Sequence, residues 1–247
     1  MDAAEAHQRS CFLDVERSLR GKRWEARLSD DRMARALAQR LMLPEVVGRV
    51  MAGRGVGLDA AEAYLSPSLK TDLPDPSLFR DMTAAADRLA RAVTAGEPVA
   101  VFADYDVDGA SSAALLHRML RALGQAPRIY VPDRIEEGYG PNAAALDRLR
   151  GEGYRLVVCV DCGTSAFDAL AHAAANGQEV LVLDHHTAEP QLPDAAAVVN
   201  PNRLDETAGH GQLAAVGVTF LFAVALNRAL RAAGWYGAER PEPLSRV

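Results

Sequence analysis

Asp104, Asp106 and Asp108 alternate in the run Asp104-Tyr-Asp-Val-Asp-Gly109, and Asp184 is followed directly by His185 and His186. Carboxylates grouped so closely repel one another unless a cation holds them. Oxygen donors with a few imidazoles suit Mg²⁺ or Mn²⁺ better than zinc or copper. Read as an extended loop, the first run sends its three carboxylates to one side, and Gly109 permits a sharp entry into the helix that follows. Taken alone, the run also reads as a solvated acidic turn in which Asp108 caps a helix. An aspartyl-phosphate nucleophile is a further reading, but the Thr or Val it needs two residues after the second Asp is not there, and no downstream Lys stands out.

The two adjacent histidines are the sharper signal. One imidazole can bind a metal while the other stands beside a phosphoryl group as acid or hydrogen-bond donor, and Asp184 can fix a histidine tautomer. Asp161, which directly follows an apolar run, is the candidate to bridge two cations. Paired cations activate water and stabilise the leaving oxygen of a phosphoester, so this set predicts a two-metal hydrolytic site. Gly163-Thr164-Ser165 either opens a helix whose free N–H groups attract an anion or simply caps it. In the loop Pro132–Asn142, Arg134 is placed to clamp a phosphate and Tyr139 to stack on a base; a surface turn with an Arg–Glu pair is the plainer alternative. Asn200-Pro-Asn-Arg203 is a weaker candidate of the same kind. His117 and His172 read as structural, and nothing in the sequence places His210 at the site.

The elements that must position these groups follow from periodicity. Short apolar runs at 98–103, 128–131, 156–160, 179–183 and 197–199 read as buried strands. Helical segments near 83–94, 111–123, 143–151, 165–176 and 213–233 separate or follow them. This alternation predicts an α/β fold with a mostly parallel sheet flanked by helices. Asp104, Asp161 and Asp184 each directly follow a strand, where open parallel sheets bind ligands. Residues 1–80 read as a helical extension, with helices from about 31 to 43, on to about 52, and over Gly57–Leu65, and without evident chemistry. Residues 81–240 read as the main domain.

Composition sets the outer bounds. The 247 residues are 49% apolar, enough for a sizeable core, and the net charge of −6 counts mildly against a nucleic-acid binder unless bound cations reverse the local sign. Cys159 and Cys162 form a C-x-x-C inside apolar sequence with no second pair to complete a zinc site, so they read as buried thiols, in keeping with a reducing cytosol. Met1–His7 show no leader pattern, and no apolar stretch approaches the roughly 18 residues of a membrane helix. A cytoplasmic protein with no membrane partner is expected.

The strings Asp104-Tyr-Asp-Val-Asp-Gly109, Val160-Asp-Cys-Gly-Thr164 and Asp184-His-His186 resemble the first three motifs of the DHH phosphoesterase superfamily. Tyr130-Val-Pro-Asp-Arg-Ile-Glu-Glu-Gly-Tyr-Gly-Pro-Asn142, Val198-Val-Asn-Pro-Asn-Arg203 and Leu213-Ala-Ala-Val-Gly-Val218 resemble its RecJ branch, the single-strand-specific DNA exonucleases, and the likeness runs from about Arg23-Trp24 to Gly234-Trp235. The resemblance implies 5′→3′ hydrolysis of single-stranded DNA with two Mn²⁺ or Mg²⁺ ions, in recombination and repair, beside helicases or single-strand-binding proteins. It implies metal ligation by Asp106, Asp108, Asp161 and His185, with Asp104 at the first acidic position of that loop. His186 matches the second histidine, near the scissile phosphate, and with Asp161 and Asp184 it makes up the expected catalytic set. Arg134 falls in the loop facing substrate, which also holds Tyr139 and Asn142. Two departures stand out. Phe102 occupies a position where many relatives have His, and no Asp follows Asp205, although relatives carry a fourth, Asp-bearing motif beyond the long helix. The chain therefore reads as an N-terminal portion of such an enzyme. The alternatives are another DHH hydrolase, acting on pyrophosphate, oligoribonucleotides or cyclic dinucleotides, and a truncated chain that binds metal or DNA without turnover.

Overall fold

A computed structural model of the chain describes residues 11–28 and 30–243. The segment Met1–His7, read above for a leader pattern, lies outside the described residues. The chain divides into two compact units, Met1–Leu73 and Pro74–Val247.

In the first unit, helices α1 (Arg32–Arg40) and α2 (Glu45–Gly53) pack on each other around Leu37, Met51, Val56 and Ala61. Pro44 separates them, because its ring cannot continue the preceding helix. The third helix, expected over Gly57–Leu65, is shorter: α3 covers Ala61–Leu65, and α4 is the single turn Leu69–Asp72.

The second unit holds a five-stranded sheet, all parallel, in the order β2-β1-β3-β4-β5, with β1 Val99–Ala103, β2 Arg128–Tyr130, β3 Leu156–Val160, β4 Glu179–Leu183 and β5 Ala197–Val199. Every residue of β1 and β3 is buried, which is why both read as unbroken apolar runs rather than as alternating ones. Helices α7 (Ala143–Gly151) and α8 (Phe167–Ala175) cover one face, with Leu146, Leu149 and Leu170 set against Phe102, Val157, Cys159 and Val182. Helices α5 (Met82–Ala95), α6 (Val107–Ala122) and α9 (Ala215–Ala232) pack together on the strands' other face. The α/β architecture expected from the strand–helix alternation is the one observed. Cys159 and Cys162 are both fully buried and unpaired.

One expectation needs correcting. α9 is 18 residues long and apolar enough, by length and composition alone, to cross a membrane. It packs against α5 and α6 instead, with Val218, Leu221, Phe222, Leu226 and Leu230 buried, and so serves as a core helix.

The strand order matters for chemistry. The strand order reverses between β1 and β3, and open parallel sheets bind ligands at the carboxyl ends of the strands beside such a switch point.

Candidate metal centre

The parallel ladder runs one residue past each strand. The amide of Asp104 donates to the Val160 carbonyl at 3.3 Å, that of Asp161 to the Leu183 carbonyl at 2.9 Å, and that of Asp184 to the Val199 carbonyl at 3.0 Å. Ala103 is paired with Val160 and Val160 with Leu183. Asp104, Asp161 and Asp184 therefore stand side by side at the same height on β1, β3 and β4, and all three are at least 95% buried.

The first acidic loop is tighter than alternation suggests. α6 begins at Val107, not near Ser111, so Asp106 and Asp108 do not share an extended segment. Asp106, rather than Asp108, is the N-cap: its Oδ1 accepts from the amides of Asp108 at 2.8 Å and Gly109 at 3.0 Å. Those bonds, the one to Gly109 foremost, hold its pKa below the usual carboxylate range. Asp108 turns to α9, whose N-terminus has no local side-chain cap. Its Oδ2 accepts from the Ala215 amide and its Oδ1 from the Val216 amide, both at 2.8 Å. Gly109 is needed for space rather than for a sharp turn, because a Cβ there would lie 2.7 Å from the Asp104 carbonyl carbon and nearer still to its oxygen.

Two groups of donors emerge. Asp104, Asp106 and Asp161 bring one ligand atom each within 4.8 Å of one another, and so do Asp161, His185 and His186. Asp161 belongs to both. Oδ1 of Asp104 and Oδ1 of Asp161 are buried with no hydrogen-bond partner. Burial raises the Asp104 pKa. Burial first, and then the charges of Asp108 and Asp106, push Asp161 up to about 7. Its backbone sits at φ 61, in the left-handed region, which Asp and Asn tolerate better than most residues. A buried carboxylate oxygen without a hydrogen bond is costly, and two of them at one edge of the sheet, that of Asp161 facing a histidine nitrogen, fit a site built for cations.

The histidines are held from beneath. Asp184 accepts from the amides of His185 at 2.7 Å and Thr164 at 3.1 Å, and from Nδ1 of His186 at 2.7 Å. Burial alone would raise the Asp184 pKa, but the bonds from His186 and Thr164 outweigh it and leave the group at about 2. The same carboxylate raises the pKa of His186. With Nδ1 engaged, His186 has Nε2 left for other work. His185 Nε2 lies 3.3 Å from Asp161 Oδ1 and 3.6 Å from Asp108 Oδ2. Asn200 Nδ2 donates to the His186 carbonyl and to Thr164 Oγ1, each at 2.9 Å, and Asn202 Nδ2 donates to the His185 carbonyl at 2.5 Å. These asparagines are a clamp on the histidine backbone. Their signal in the sequence is an Asn-Pro-Asn directly after a strand, and only the order of β4 and β5 gives it meaning. Arg203 plays no part there: it is buried and bonded to Asp81, Asp205 and the Val198 carbonyl.

Tyr139 reaches the centre, donating to the Asp161 carbonyl at 3.1 Å and standing 3.3 Å from His186 Nδ1. Burial raises the pKa of its phenol. Arg134 is exposed, with its guanidinium 5.2 Å from the Tyr105 ring centre. Asn142 caps α7 through Oδ1, and its buried Nδ2 has no partner. Thr164 and Ser165 open no helix, since α8 starts at Phe167. His210 stacks on Phe79, and His172 is bonded to Asp147.

Residues 98–241 match the family described as DHH family, N-terminal domain. The chain is 33% identical over 204 residues to the single-stranded-DNA-specific exonuclease RecJ of Bacillus subtilis (strain 168), a match covering 83% of this chain and 26% of that protein. Among solved structures it is similar to RecJ from Thermus thermophilus in complex with Mn²⁺, with a TM-score of 0.63 and 27% identity over 88% of this chain and 29% of that one. RecJ from the same organism in complex with Mg²⁺ matches with a TM-score of 0.50 and 25% identity over 88% of this chain and 25% of that one. The chain spans between a quarter and about a third of the length of the curated relatives it matches.

Proposed function

The chain belongs to the DHH family, and from that membership we propose that it supplies the hydrolytic domain of a single-stranded-DNA-specific 5′→3′ exonuclease of the RecJ type. The observation that carries this reading is Asp161, a buried carboxylate common to two ligand groups, whose Oδ1 makes no hydrogen bond and faces His185 Nε2 at 3.3 Å. Asp104, Asp106 and Asp161 would hold one divalent cation, and Asp161 with His185 the other. Mn²⁺ or Mg²⁺ suits these donors, and both occur in the RecJ structures this chain is similar to. Bound there, paired cations supply an activated water and charge neutralisation at the leaving oxygen.

The remaining steps belong to the chain's own side chains. Asp184 orients His186 through Nδ1, which leaves Nε2 to meet a phosphoryl oxygen as acid or hydrogen-bond donor. Tyr139 flanks that imidazole. Arg134, exposed on the same loop as Tyr139, would take a strand phosphate, and Asn142 fixes the end of that loop at the start of α7. The setting we propose is the cytoplasm, alongside the repair and recombination proteins that handle single strands.

A second reading rests on Asp108. It lies outside both ligand groups and is committed to α9, which favours a chain that binds cation and strand without turnover. One assay decides between them. The purified chain is incubated with Mn²⁺ and, separately, 5′-labelled single-stranded DNA, duplex DNA, pyrophosphate and a cyclic dinucleotide. Mononucleotides released from the single strand alone, and lost in Asp161→Ala, support the exonuclease. Turnover of only a small substrate overturns it in favour of another DHH hydrolase. Cation binding with no turnover of any substrate supports the second reading.

A further inference from the structure

The N-terminal unit holds a feature that the hydrolytic site does not use. Residues 12–24 fold back on themselves as a hairpin. The Phe12 amide donates to the Trp24 carbonyl at 2.9 Å, the Trp24 amide to the Val15 carbonyl at 3.0 Å, and the Ser18 amide to the Lys22 carbonyl at 2.9 Å. Gly21, at φ 70, closes the turn by donating to the Ser18 carbonyl at 2.8 Å. From Arg17 to Arg23 the tip carries four basic side chains and no acidic one, in a chain whose net charge is −6. Arg17, Arg20 and Lys22 are exposed and make no ion pair among the described residues. Beside them Trp24 is 46% exposed, with no aromatic or cationic group packed on its ring among the described residues.

We infer that this hairpin is a metal-independent binding arm for a DNA single strand, with Arg17, Arg20 and Lys22 on phosphates and the Trp24 indole stacked on a base. Clustered cations without carboxylate partners attract a polyanion and release its counterions. They do not by themselves choose among polyanions. The exposed indole does, because single-strand binders pair a basic track with aromatic platforms for unstacked bases, and a duplex keeps its base faces covered. An acidic polypeptide offers charge but no such faces. The choice of DNA rests on the function proposed above. The arm itself needs neither cations nor hydrolysis.

The test uses the full chain in EDTA, so that no strand is cut, and follows the anisotropy of a labelled oligo(dT) of about 16 nucleotides. The combined variant Arg17→Ala, Arg20→Ala, Lys22→Ala should bind at least about ten-fold more weakly, and the slope of log K against log salt should become shallower by about 2. Trp24→Ala should weaken binding by about ten-fold. In a Trp235→Phe background Trp24 is the one remaining tryptophan, and its fluorescence should be quenched by the strand and restored by salt. Unchanged affinity in the triple variant, absence of quenching, or equal competition by duplex DNA or poly-glutamate overturns the arm. Failure of the function and failure of the arm are separable. Hairpin-dependent binding in EDTA without Mn²⁺-dependent hydrolysis removes only the exonuclease reading, and hydrolysis unaffected by a binding-neutral triple variant removes only the arm.

Discussion

Asn200 Nδ2 donates to the carbonyl oxygen of His186 at 2.9 Å from a fully buried side chain. The same amide holds Thr164 Oγ1, and Asn200 Oδ1 accepts from the Asn202 amide at 2.8 Å, so one side chain ties the loops after β3, β4 and β5 together. Asn200→Ala leaves several buried polar atoms unsatisfied, and the expected cost is about 2–4 kcal/mol in urea unfolding. Because it supports groups that would hold cations, Mn²⁺ affinity should also fall by about 10–100-fold in calorimetry.

Asp161 gives a prediction whose sign depends on pH. Its folded pKa, about 7, lies above the ordinary 3.8. Its contribution is thus fully favourable below about pH 4 and is lost as pH rises through 7. Asp161→Asn removes the charge and tolerates the same backbone region. In EDTA the variant should match the wild type near pH 4 and exceed it by about 1–3 kcal/mol at pH 8, while Mn²⁺ binding falls at least 100-fold. Urea titrations at the two pH values check the first part. A variant less stable than wild type at pH 8 contradicts it.

The same carboxyl sets a proton balance for cation binding. At pH 6 it is mostly protonated in the cation-free protein, so Mn²⁺ must displace about one proton; at pH 8 that site has only about a tenth of a proton to give. Calorimetry at pH 6 in buffers of different ionisation enthalpy should show this release, and it should shrink sharply by pH 8.

Gly109→Ala separates packing from propensity. In an exposed helix, exchanging Gly for Ala stabilises by about 1 kcal/mol. Here the new methyl meets the Asp104 backbone, so the loop must shift, and a loss of about 2 kcal/mol or more is expected instead. Thermal unfolding should show a lower midpoint, together with weaker Mn²⁺ binding.

Much of this site was legible because parallel strands announce themselves. The runs 156–160 and 179–183 match β3 and β4 residue for residue, and an aspartate directly after each of three strands already pointed to one edge of a sheet. Adjacency was not in the residues. Only the order β1-β3-β4 brings Asp104, Asp161 and Asp184 side by side. The run Asp104–Asp108 misled, because alternation in a sequence cannot distinguish an extended loop from a helix start, and the Asp106 cap chooses the helix. The bonds from Asp108 to α9 join residues more than a hundred positions apart, and no local pattern marks such a pair. α9 was read as a helix of this domain, and only its apolar length was understated; burial by neighbouring helices selects the same residues that burial by lipid would.

Because every strand of the sheet is parallel, the turns that lead into the strands lie at the edge opposite the aspartates. Those turns are therefore the place to attach instruments. Ala126, just before β2, is exposed, while Cys159 and Cys162 are sealed in the core. With Cys11→Ser as background, Ala126→Cys would take a fluorophore or a surface tether and leave the aspartate-bearing edge untouched, so that single molecules could be watched from the opposite side of the sheet.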